Sequence, residues 1–148
     1  MIISRQAWVV VADGGRANIY KNIGEIGEVK LALVRSTNHH NEHTHELGRD
    51  QPGRLSGNSG HAKSALESTN LHQAAEDKFL KAVVEHLAQD VQSGQCKELV
   101  LIAPPHALGE IRKHLPASVS KIVVSEISKD YTHMAINELQ KTLMNNIH

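Results

Sequence analysis

The sequence holds a single cysteine, Cys96, in 148 residues. A lone thiol excludes an intrachain disulfide framework and any zinc site built from several cysteines. Aromatic residues are scarce at 3%, namely Trp8, Tyr20, Phe79 and Tyr131. A stacking platform for single-stranded nucleic acid draws on several exposed aromatics, which so few can hardly supply. Neither sign of charge is in excess: 16 basic residues face 16 acidic ones, and the pI is near 7.2. A strongly basic nucleic-acid binder, with a pI above ~9, is therefore not expected. No run approaches the ~18 apolar residues of a membrane helix. The opening stretch MIISRQAWVVVADGG has neither a basic leader nor a long apolar stretch, so no secretory signal is expected and the protein is placed in the cytoplasm.

What is present reads as a soluble globular chain, 40% apolar and 22% charged. Its length predicts a single domain spanning 1–148, with a core that needs no covalent staples. Residues 7–12, AWVVVA, predict a strand buried on both faces. Asp13-Gly14 then predicts a tight hairpin in which glycine takes a positive φ, leading into a strand at 17–21. A turn bracketed by Gly24 and Gly27 leads to a third strand at 29–34.

Residues 37–69 break the pattern, with four of the ten glycines, five of the eleven histidines and no aromatic. They predict a long mobile loop, because such connections are uncommon in packed domains and usually functional or disordered. Leu71, Ala75, Phe79, Val83, Leu87 and Val91 then mark a helix over 70–93, with Asn70 as its cap and Gly94 as its stop. Leu99–Ala103 is a buried strand, 107–115 a short helix, 122–124 a fifth strand, and 131–146 a last helix capped by Asp130. The order β-β-β-α-β-α-β-α predicts an α/β fold: a mixed five-stranded sheet, an antiparallel meander followed by parallel strands, with helices packed on it.

Four strings in order, AWVVVADGGRANIY (7–20), RDQPGR (49–54), LVLIAPPHALGEIRKHL (99–115) and SEISKDYTHMAINELQKTL (125–143), closely resemble the bacterial family described as proteins required for attachment to host cells. The resemblance covers nearly the whole chain. That family is similar to the middle domain of archaeal-eukaryotic peptide release factors. The likeness implies a mixed-sheet domain whose long loop, between third strand and first helix, would hold the catalytic Gly-Gly-Gln of a true release factor. Here the loop reads PGRLSGNSGH over 52–61, without Gly-Gly-Gln. Peptide-release chemistry is therefore not expected, and a protein kept in the cytoplasm would serve attachment only indirectly.

Several groups remain as candidates for chemistry. His39, His43 and His45 with Glu42 and Glu46 offer imidazole and carboxylate donors suited to a divalent transition metal, or form a solvated polar loop; no other cofactor is indicated. A metal held there would make the protein a metal-dependent hydrolase. Arg49, Arg54, His61 and Lys63 could meet phosphate, with Gly53, Gly57 and Gly60 allowing close approach; the partner, RNA or the ribosome, is what the resemblance implies. Arg16, beside Gly14-Gly15, and Arg112 are further anion contacts. His106 follows a strand at Pro104-Pro105, where ligands of α/β sheets often sit, and is a candidate general acid or base. A protein partner, or a second copy of the chain, is the remaining alternative for a loop that orders on binding.

Overall fold

The computed structural model describes residues 3–25, 27–38 and 61–146, with side chains of the first helix described from Leu71 onward. The elements are β1 (Trp8–Ala12), β2 (Arg16–Asn22), β3 (Leu31–Asn38), α1 (His61–Gln92), β4 (Leu99–Ala103), α2 (Pro105–His114), α3 (Ala117–Ser120), β5 (Val123–Ser128) and α4 (Ile136–Asn146). One sheet joins all five strands in the order β3-β2-β1-β4-β5. β1 is the pivot: it runs antiparallel to β2 and parallel to β4, and β4 runs parallel to β5. This is the expected mixed sheet, meander first.

The two apolar runs explain the centre. All five residues of β1 and all five of β4 are buried. Side chains alternate between the faces of a strand. Trp8, Val10, Ala12, Leu99 and Leu101 therefore join one core with Phe79, Leu80, Val83, Val84 and Leu87 of α1 and Leu108 and Ile111 of α2. Val9, Val11, Val100 and Ile102 join the other, with Leu139 and Leu143 of α4. The molecule is three layers deep, with β1 and β4 dry on both sides.

Several expected boundaries move. The long helix begins at His61, so 61–69 is helix and Asn70 lies inside it rather than capping it. After Gly60 no glycine or proline occurs until Gly94, which leaves nothing to interrupt helical propagation. Gly94 does terminate the helix, at φ +83°. Leu71 is not part of the buried stripe: it is 70% exposed, and full burial begins at Phe79. Of the expected loop, 37–38 end β3 and 61–69 open α1, and 39–60 lies outside the described residues.

At the hairpin, neither Gly14 nor Gly15 takes a positive φ. The turn is instead held by Asp13, whose Oδ1 accepts the N–H groups of Gly15 and Arg16, each at 2.8 Å. Gly14 is small for another reason: a Cβ there would stand 2.7 Å from Cδ of Glu76 on α1. α2 starts at Pro105, two residues earlier than expected, since the first helical position needs no N–H. β5 continues to Ser128. α4 starts only at Ile136, so Asp130 is not its cap. Asp130 Oδ1 accepts from Thr132, N–H at 3.2 Å and O–H at 2.7 Å, in a turn that precedes the helix.

Candidate functional site

β1, β4 and β5 run parallel, so their carboxyl ends share one edge of the sheet. Each end carries a polar residue: Asp13 after β1, His106 at the start of α2 after β4, and Asp130 after β5. α/β sheets keep their ligands at such edges, where strand order reverses. Here the reversal is at β1, whose two neighbours lead to opposite ends of the chain.

Asp13 is the centre of the edge. Its Oδ1 is taken by the turn, and its Oδ2 lies 2.9 Å from the hydroxyl of Thr132, which is 4% exposed. The same hydroxyl lies 2.7 Å from Asp130 Oδ1. A hydroxyl has one proton to donate, so it serves one carboxylate at a time. Ligand atoms of Asp13, Asp130 and His133 lie within 4.8 Å of one another. A cavity of about 380 Å³ opens beside them, lined by Asp13, Gly15, Arg16, Asn38, Glu76 and His133 among others. Its lining can hold a cation or accept hydrogen bonds from amino groups. Arg16, an expected anion contact, is the positive charge of that lining, beside the carboxylates of Asp13 and Glu76.

A second grouping lies along α1 and α2. Asp77, His106 and Glu110 also place ligand atoms within 4.8 Å of one another. His106 Nε2 is 2.6 Å from the side-chain amide of Gln73 and 3.4 Å from Asp77 Oδ1, and its ring is 60% exposed. These contacts dock α2 on α1. Glu110 is buried and accepts from Lys113 Nζ at 2.8 Å, and that bond raises the Lys113 pKa. Arg112 does not join the edge as a free cation: its Nε donates to Glu126 Oε1 at 2.8 Å.

Of the residues expected to act, the structure brings Arg16 and His106 to the carboxyl edge. His61 and Lys63 lie on the backbone of α1, their side chains undescribed. His39, Glu42, His43, His45, Glu46, Arg49, Gly53, Arg54, Gly57 and Gly60 lie outside the described residues. Sequence reasoning missed Glu76, Thr132 and His133. Thr132 stands 119 residues from Asp13, and no local pattern announces their contact.

An uncharacterised protein of Rickettsia prowazekii is 28% identical over 102 residues, covering 67% of this chain and 68% of that protein. The crystal structure of an archaeal translation termination factor superposes with a TM-score of 0.48 at 12% identity, covering 95% of this chain. This chain spans 38% of that factor's length. Residues 8–143 match the family described as protein required for attachment to host cells, and the chain belongs to that family.

Proposed function

We propose that the protein is an accessory factor that binds RNA, in the setting of the ribosome, without peptide-release chemistry. The observation that carries this reading is the position of Asn38. The last residue of β3 pairs with Arg16 and lines the cavity beside Asp13 and His133. β3 ends at this carboxyl edge, and Arg49, Gly53, Arg54, Gly57 and Gly60 follow Asn38 in the sequence. Charge divides the labour. Asp13, Glu76 and Asp130 at the edge repel phosphate, and suit the exocyclic amino groups of bases. Phosphate contact falls to the arginines of 49–54 and to Lys63.

Ribosome co-sedimentation tests this. Binding is expected at low salt and should weaken by about tenfold or more between about 50 mM and about 200 mM salt, because phosphate contacts release counterions. Arg49→Ala with Arg54→Ala should reduce both the binding and its salt slope. Absence of binding at low salt, or binding indifferent to salt, overturns the reading. Zinc-dependent thermal stabilisation of untagged protein, without ribosome binding, would favour the metal-dependent alternative instead.

A further inference from the structure

The opposite end of the sheet carries a second concavity. It lies between the C-terminus of α1, the chain entering β4 and the segment around α3. Its volume is about 700 Å³, within the roughly 300–1,000 Å³ of small-molecule sites. Val91, Cys96, Pro116 and Ile122 give it an apolar wall, and Lys97 and Lys121 stand in its lining. Among the described residues no carboxylate lines it. Among the described residues neither lysine is held in an ion pair, unlike Arg35, Arg112 and Lys113.

The last carbonyls of α1 and the thiol at this end are hydrogen-bonded or neutral, and the nearby Asp90 carboxylate is paired with Arg35 at 2.7 Å. The carbonyls of Gln89, Asp90 and Val91, which would repel an anion, accept the N–H groups of Ser93, Gln95 and Gly94. Cys96 is 2% exposed, and burial together with the nearby Asp90 pushes its thiol up to about 11, so the wall keeps no thiolate at neutral pH. An apolar wall with two unpaired ammonium groups has one natural complement. We infer that this cavity binds a small organic anion with an apolar body, the tail lying against Val91, Pro116 and Ile122 and the carboxylate meeting Lys97 and Lys121. Nothing in this inference depends on the RNA reading, which concerns the other end of the sheet.

Trp8 is a built-in reporter, since it is the one tryptophan and belongs to the core cluster that includes Cys96 and against which Val91 and Ile122 pack. Among the described residues its buried Nε1 has no hydrogen-bond partner, and its emission should report changes in the packing of that cluster. Titration with octanoate is expected to shift Trp8 emission saturably, with a Kd near or below about 1 mM. Acetate, which lacks the tail and its apolar burial, and 1-octanol, which lacks the charge-assisted hydrogen bonds, should each bind at least about tenfold more weakly. Lys97→Ala with Lys121→Ala should lose octanoate binding by a similar factor. Both lysines are exposed, so the variant should retain its far-ultraviolet circular dichroism. The inference is overturned if octanoate does not bind the wild type, if octanol binds equally well, or if the folded double variant binds octanoate undiminished. Ribosome co-sedimentation of the same double variant should match wild type, which separates this site from the first.

Discussion

Asn22 is fully buried and uses its whole side chain. Its amide nitrogen donates to the carbonyls of Ile3 and Ser4, at 3.1 and 3.2 Å, and its oxygen accepts from Gly24 and Lys30, both at 3.0 Å. One side chain thus ties the segment before β1 to the turn before β3. Asn22→Ala leaves those four backbone groups without their partner and should cost about 2–4 kcal/mol, read as a lower urea midpoint at unchanged slope. Cys96 makes the second residue-scale prediction. Its folded pKa is raised from 9.0 to about 11, chiefly by burial, so the folded state keeps its proton where the unfolded chain has lost it. Stability from this group is intact below about pH 9 and falls as pH rises toward about 11, because there the native state binds more protons than the unfolded state. Cys96→Ala should flatten that decline in a series of denaturation curves. Alkylation of the native thiol at pH 8 should be slow and become fast in urea.

At the scale of elements, two glycines in similar company have opposite reasons. Gly94 ends α1 with φ +83°, a conformation that a Cβ opposes, although a Cβ there would touch nothing. Gly94→Ala should therefore destabilise by about 1 kcal/mol. Gly109 lies inside α2 with no positive φ, and a Cβ there also meets nothing within 4 Å. Close packing is therefore not the reason for that glycine. Gly109→Ala should stabilise the protein by about 0.5–1 kcal/mol through a lower entropy of the unfolded chain. Thermal unfolding of the two variants beside wild type separates the cases: midpoints that move in the same direction would refute the argument. α4 shows another kind of constraint. Its Gln140 accepts the N–H of Leu31 at 2.7 Å, so the helix completes the beginning of β3 while Leu139 and Leu143 fill the core beneath it.

For the whole molecule the sheet is a partition. Leu143 of α4 belongs to one core and Val84 of α1 to the other, with β1 and β4 between them. Sheets and their covering layers lie ~10 Å apart, so the two sites stand well beyond direct contact. Leu143→Ala should cost about 2–5 kcal/mol and Val84→Ala less. Their double variant should be additive within about 0.5 kcal/mol. A larger coupling in the double-mutant cycle would mean that the sheet itself deforms when either face is hollowed. Charge is also partitioned at this scale. The balanced total of 16 and 16 conceals carboxylates gathered at the carboxyl edge and unpaired lysines at the other end. Described helices include none long and apolar enough to cross a membrane.

The sequence by itself determined the kinds of the longer elements and their order, though not the single-turn α3. A run such as Val9–Val11 or Leu99–Ile102 announces a strand dry on both faces, and the spacing of Phe79, Val83 and Leu87 announces a helix, because side-chain periodicity is a property of a few neighbouring residues. The stop at Gly94 is local in the same sense. The beginning of α1 at His61 had only a weak local sign, the absence of glycine and proline after Gly60, against a polar composition that favoured a loop. Tertiary structure alone decided the rest. Asp130 looked like a helix cap and became the partner of Thr132. Asp13, Glu76, Thr132 and His133 met at one edge because strand order set β1 beside β4 and brought both chain halves to the same end of the sheet. Strand order follows from which faces and edges can be buried together, a balance summed over the whole chain, and a linear pattern records the periods of its elements but not that sum.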